Sequence, residues 1–297
     1  MNGYENTPIT KVPSWGGTIA IDALMNGMAT GLFMVAAVCE FAAPANFSAA
    51  AKVAYPVALV LLLLDLGFLV SDLGDPLRFH HMLRVFKPGS PMSLGTWCLT
   101  IFSLPLTVAA LLSVLAIFWI DFEWARIAAV ILGLLPAFGS AAYKGVLLST
   151  NSQPGWKDAR WMGAYLTNSA ILIGCAELLL LSALMSQTQA IAILRIAFIV
   201  LLVLNLIPLG LLYANLRPAY VRIYTFTQEC LGAGLIFIAG TLIPLGLLTL
   251  SGSLASIVVS VIFLLFGSWA IRYVYVKIPH TPARSLSTER ADRVPAP

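Results

Sequence analysis

The chain is 297 residues long, 60% hydrophobic and only 10% charged, with a mean hydropathy of +0.91. A water-soluble domain carries about 25% charged residues, so the composition excludes one, and most of the surface must face lipid. The net charge of +4 is small, and where the charges fall matters more than their sum.

A hydrocarbon core about 30 Å thick takes about 20 apolar residues of helix. Met1–Ser14 is polar and the first apolar run is long enough to span, so no cleavable signal peptide is expected. Runs of spanning length fall at Gly17–Phe41, Val53–Ser71, Ser93–Trp119, Ile127–Ser149, Trp161–Leu184, Ala190–Ala214, Phe226–Leu250 and Leu254–Val276. They are continuously apolar, without the alternation of a barrel. The expected fold is an all-α integral membrane protein of about eight transmembrane helices, arranged as two four-helix bundles. A cytoplasmic segment 1–16 precedes the transmembrane domain 17–278, and a Pro-, Ser- and Arg-containing tail, 279–297, is expected to be disordered.

The first run carries Thr18, Asp22, Asn26 and Thr30 at steps of four, one continuous helix face. Gly27 and Gly31 lie beside that stripe and permit close helix approach. Asp22 sits about 9 Å inside the helix at about 1.5 Å per residue, too deep for a short side chain to reach the interface. The stripe is either a hydrogen-bonded packing seam or the polar wall of a ligand site. Glu40 lies near the far end of this run, and the second run contains Asp65, with Asp72 seven residues on along the same face.

Between the second and third runs, Gly74 and Pro76 set a turn, which an Asp72–Arg78 pair would fix; His80 and His81 follow as solvated side chains or as a proton entry. The fourth run ends in Tyr143 and Lys144. Taken alone, a tyrosine at that depth belongs to the interfacial belt and a lysine snorkels outward. Their level matters, however: the first run enters where the fourth returns, so Asp22 and Tyr143 stand at one depth. Glu177 lies well inside the fifth run, while Arg195, near the far side, is placed to pair with an acid there. Glu40, Asp65 and Glu177 together make a candidate intramembrane proton path.

Cys39, Cys98, Cys175 and Cys230 are widely separated in apolar stretches and read as buried thiols. The three histidines lie outside the apolar runs, so no axial pair for a haem is expected, and no ligand spacing for a metal or an iron–sulfur cluster occurs. An even number of spans puts both termini on one side. Fourteen of the 17 Lys and Arg residues fall there, against Lys52, Arg126 and Arg195 opposite. By the positive-inside rule the terminal side is cytoplasmic.

The loop Asp72-Leu73-Gly74-Asp75-Pro76-Leu77-Arg78-Phe79, with Ser90-Pro91-Met92-Ser93 and Gly95-Thr96-Trp97 opening the third run, resembles the signature of the NrfD/PsrC family. Asn26-Gly27-Met28-Ala29-Thr30-Gly31, the Tyr143–Leu148 end of the fourth run and Arg272-Tyr273 extend the resemblance over most of the chain. It implies the haem-free, quinone-binding membrane subunit of a polysulfide-reductase-like complex, with menaquinone or ubiquinone held in the first four helices. The implied partners are a ferredoxin-like iron–sulfur subunit and a molybdopterin catalytic subunit, in the cytoplasmic membrane of a bacterium or archaeon.

Through the same resemblance Asp22 and Tyr143 become the quinone contacts, with Asn26 and Lys144 beside them. Asp72, Gly74, Asp75, Pro76, Arg78, His80 and His81 become the loop that meets the partner. Asp75 stands where the family commonly has a basic residue, and Lys144 where a small one is usual. No residue of the chain is expected to be catalytic by itself. A secondary transporter or ion-translocating subunit using Asp65, Glu177 and Arg195 is the alternative class, although no internal repeat supports it. A purely structural anchor would gain nothing from burying Asp22.

Overall fold

The computed structural model describes residues 15–281 except 119, 121, 152 and 154. Nearly all of the expected N-terminal segment and C-terminal tail, and the expected end of the third run at Trp119, lie outside the described residues. Among the described residues there is no strand.

Among the described residues, eight helices are long and apolar enough to cross a membrane. The first four are α1 (Thr18–Ala42), α2 (Pro44–Ser71), α3 (Pro91–Ile117) and α4 (Glu123–Ser149). The others are α5 (Met162–Leu184), α6 (Thr188–Ile223), α7 (Phe226–Leu250) and α8 (Leu254–Lys277).

Two helices outrun their apolar runs. α2 begins at Pro44, nine residues before the expected Val53, because Pro44 occupies the first helical turn and only Ala43 separates α1 from α2. The stretch from Pro44 to Lys52 is helical without being strongly apolar, so a hydropathy window passes over it. α6 runs nine residues past Ala214 to Ile223. Its 36 residues reach about 54 Å, well beyond the hydrocarbon layer, and its last turns carry the exposed Arg217 and Arg222.

α1 and α5 are the most buried spans. α1 packs against α2, α4, α5 and α8, and α5 against α1, α4, α6 and α8, so this pair joins the first four helices to the last three. The two run parallel and touch backbone to backbone. A Cβ on Gly31 would collide with the Ala170 carbonyl, and one on Gly174 with the Gly31 carbonyl. With no hydrophobic drive between helices in lipid, such close packing supplies the attraction.

The start of α1 and the end of α8 meet on one face of the protein, the terminal face: Gly17 lies against the Tyr273 ring, and the Trp15 and Trp156 rings stack at 6.0 Å. α7 contains a π-helical turn at Ile238–Leu242, just before Pro244. Pro244 cannot bond back to Gly240, and the wider turn absorbs the mismatch while bringing Gly240 against Gly267 of α8.

Candidate functional site

α1 and α4 keep one antiparallel register from end to end. Asp22 faces Lys144, Asn26 faces Ser140, Phe33 faces Gly133, and Glu40 faces Arg126. The polar rungs lie at the two ends. Between them Phe33, Phe102 and Tyr55 pack as a buried aromatic layer, Phe33 standing 5.1 Å from Phe102 and 5.7 Å from Tyr55 between centroids.

The rung near the terminal face is a buried ionic cluster drawn from three helices. Lys144 Nζ lies 2.8 Å from Asp22 Oδ2 and 2.5 Å from Asp65 Oδ1, and donates to the Asp22 backbone carbonyl at 3.2 Å. Its three hydrogens are therefore all engaged. Lys144 does not snorkel, because three acceptors inside the bundle hold the ammonium more firmly than the interface would. The Asn26 amide donates to Asp65 Oδ2 at 3.1 Å and to Ser140 Oγ at 3.0 Å. Both Asp65 oxygens are thereby used. Thr30 donates to the Asn26 carbonyl at 2.6 Å.

Two carboxylates share one ammonium, which leaves an excess acid in a dry setting. The Asp22 Oδ1 atom is buried with no hydrogen-bond partner. Tyr143 adjoins the cluster, with Lys144 Nζ 5.8 Å from its ring centroid. Its ring fills the hollow left by Gly95 of α3, where any Cβ would overlap it. Two residues on, the Trp97 indole N–H is buried without a partner. Toward the terminal face, Thr18 donates to Asp72 Oδ1 at 2.7 Å, and Asp72 Oδ2 is again without a partner. An orphan acceptor on α1 and an orphan donor on α3 are buried polar groups that a ligand could satisfy.

At the far-face rung both Glu40 oxygens are engaged, while Arg126 Nε and Nη2 are buried without a hydrogen-bond partner. Arg126 Nη1 bonds Glu40 at 2.8 and 2.9 Å, and the Tyr55 hydroxyl donates to Glu40 Oε2 at 2.7 Å. Arg126, counted from the sequence as a loop charge, is buried. Among the described residues Arg195 pairs with no acid. Its guanidinium caps the end of α7, with Nε 2.7 Å from the Leu248 carbonyl.

Glu177 is buried on α5 with Oε2 unpartnered. No hydrogen bond or ion pair among the described residues joins Glu40, Asp65 and Glu177: Asp65 belongs to the near cluster, Glu40 to the far one, and Glu177 to neither. Arg272 is buried on α8 among hydroxyls, donating to Ser268 and, at 3.3 Å, to Ser169. Of the cysteines only Cys175 is fully buried, and Cys230 is exposed.

The loop after α2 is a 3-10 turn, Pro76–Leu83, with no buried residue. Asp72 does not pair with Arg78. Arg78 reaches Asp75 at 3.0 Å instead, three residues away in the tight turn, while Asp72 is drawn back to Thr18. Gly74 has open space around it and no left-handed backbone. His80 and His81 stand edge to face at 4.5 Å, exposed beside Leu77 and Phe79.

Of the residues singled out from the sequence, Asp22, Asn26 and Lys144 lie in one cluster with Tyr143 beside it, and Asp65, assigned there to a proton path, joins them. Sequence reasoning missed Ser140, the unpartnered Trp97 N–H and the bonding of Arg126 and Tyr55 to Glu40. Ser140 was findable, since it sits one turn before Lys144 on the same face.

In comparison with known proteins, residues 6–278 match the family model described as polysulphide reductase, NrfD. No curated protein matches the chain.

Proposed function

The chain belongs to the polysulphide reductase NrfD family, a membrane subunit of a respiratory oxidoreductase complex, and on that premise we propose that it carries the quinone-reactive site of such a complex in its α1–α4 bundle. The observation that carries this reading is the Asp22 carboxylate, one oxygen gripped by Lys144 and the other buried and bare.

The donor set fits a quinone. A quinone, when bound, supplies two-electron chemistry that takes up or releases two protons. Tyr143 and the unpartnered Trp97 N–H are donors suited to carbonyl oxygens, and Asp22 Oδ1 is an acceptor suited to a quinol hydroxyl. Asp22 exchanges the proton, with Lys144 and Asn26 fixing its position and sharing Asp65 as a common anchor. Lys144, with every hydrogen engaged, orients the acid and does not touch the ligand. Gly95 admits the Tyr143 ring to this level of the bundle.

Electrons then pass between this site and an iron–sulfur partner subunit, itself serving a molybdopterin catalytic subunit. The loop 76–83 is the surface we assign to that partner, because it presents Leu77 and Phe79 to solvent beside Arg78, Arg84 and Lys87. The site and this loop share the terminal face. We assign that face to the cytoplasm of a bacterial or archaeal cell. Setting aside the buried Lys144, Arg272 and Arg126 leaves twelve basic residues on the terminal side against two opposite.

A second reading, proton movement through the chain, draws on Glu177, an intramembrane acid with an unpartnered oxygen. Purification of the complex, followed by identification of its quinone and by quinol turnover in Asp22→Asn, tests the first reading. Loss of turnover with intact assembly is expected, and normal quinol kinetics would remove Asp22 from the mechanism. Proton uptake by the chain alone in vesicles would favour the second.

A further inference from the structure

A cavity of about 600 Å³ lies between α6, α7 and α8, outside the bundle discussed above. Its size is that of a small-molecule site, and its two halves differ in chemistry. Toward the terminal face Tyr213 and Tyr220 of α6, and Tyr224 just past its end, lie along one side, their rings 6.2 and 6.3 Å apart in succession. Across from them is Glu229 of α7, buried, accepting from the Tyr213 hydroxyl at 2.6 Å. Toward the membrane centre the walls are purely apolar, among them Leu206, Ile236 and Ile271.

Two glycines line the cavity. Gly210 of α6 and Gly232 of α7 both line it, and a Cβ on either would meet nothing within 4 Å. These glycines differ from Gly31, Gly174, Gly240 and Gly267, where the next helix fills the space. A glycine inside a helix costs about 1 kcal/mol relative to alanine, and at Gly210 and Gly232 close helix packing offers nothing in return.

We propose that this cavity is a second amphiphile site, taking a neutral aromatic head that bears a hydroxyl group, on an apolar tail. A carboxylate has four acceptor positions, so beyond the Tyr213 bond Glu229 can accept the ligand's hydroxyl, while the tyrosine rings offer faces for a flat head. The tail follows the apolar walls toward the midplane. A phospholipid phosphate is disfavoured, because it would bring its negative charge against Glu229. A membrane quinol meets all three requirements. That identity rests on the quinone reading above; the site itself does not.

The test uses the full chain in lipid nanodiscs, titrated with the fluorescent quinol analogue 2-heptyl-4-hydroxyquinoline N-oxide. Two equivalents are expected to bind. Gly232→Leu and, from the opposite wall, Gly210→Leu each fill the cavity and should remove one equivalent while the melting temperature holds. Asp22→Asn should weaken the other. Tyr213→Phe and Glu229→Gln should weaken the cavity equivalent by roughly tenfold, the loss of one charge-assisted hydrogen bond. A single equivalent insensitive to both glycine variants overturns the proposal and leaves the α1–α4 reading standing. A single equivalent that both glycine variants abolish and Asp22→Asn spares upholds the cavity and overturns the other site. Native mass spectrometry showing a phospholipid retained in the cavity and not displaced by the analogue also overturns it.

Discussion

Lys144 holds Asp22 twice, through the carboxylate at 2.8 Å and through the backbone carbonyl at 3.2 Å. The second bond fixes the depth of α4 against the α1 backbone itself. The lysine is therefore part of the bundle's geometry as well as its charge balance.

Removing the ammonium exposes what it balances. Lys144→Met leaves Asp22 and Asp65 facing each other in a buried setting and is expected to destabilise the protein by about 3–5 kcal/mol. Adding Asp65→Asn should recover part of that loss, since it removes one of the two stranded charges. Reversible unfolding in mixed micelles, compared across the single and double variants, measures both.

The acid itself is expected to separate structure from turnover. Asp22→Asn keeps the shape and the Lys144 contact but lacks an exchangeable carboxyl proton, so quinol turnover in the assembled complex should fall by roughly 10²-fold. Quinol-dependent rates and complex yield are read on the same preparation. A fall in yield alone would make Asp22 a structural residue.

At the far face, Tyr55→Phe takes one hydrogen bond from Glu40 and should cost about 1.5–3 kcal/mol, the range for bonds to a charged group. Arg126→Leu strands Glu40 and should cost more, about 3–5 kcal/mol. The double replacement Glu40→Leu with Arg126→Leu should sit closer to wild type than Arg126→Leu alone. An additive double variant would mean that the pair is not coupled.

Helix approach is the next test. Gly31→Val puts side-chain atoms where the Ala170 carbonyl stands and should push α1 and α5 apart, lowering the yield of folded protein in the membrane. Gly67→Ala, on a helix face with open space, should leave yield unchanged. Fluorescence-detected size exclusion of both variants distinguishes the outcomes.

The loop can be tested through assembly. Phe79→Asp together with Arg78→Glu removes an exposed apolar contact and reverses a charge, and should reduce recovery of the iron–sulfur partner in affinity purification by at least tenfold. The isolated membrane chain should remain folded, because none of the turn is buried.

Much of this was legible because spans in lipid are long and apolar, and polar exceptions within them are few. The depth of Asp22 and of Tyr143 followed from counting residues inward from the start of the first run and from the end of the fourth. What escaped was lateral. Depth alone did not reveal that Asp65 of α2 would turn toward Lys144, since a helix face is set by packing with neighbours that the chain meets only in three dimensions. Arg126 looked like a loop charge because the apolar run begins only at Ile127, whereas the helix begins at Glu123 and the pairing with Glu40 holds Arg126 inside. The Asp72–Arg78 pair failed because Asp75 lies closer within the tight turn. The cavity in the second half had no sequence signal at all, being lined by two glycines that face emptiness and tyrosines that resemble an interfacial belt.

The α1–α4 register also dictates an order of events during synthesis. Asp22 and Lys144 are 122 residues apart in the chain, so at about 5–20 residues per second α4 emerges roughly 6–24 s after α1. For that interval the first helix carries two acids whose cations have not yet been made. Until α4 arrives, those two carboxyls either hold a proton or keep contact with water, and α4 then supplies a cation at both ends together.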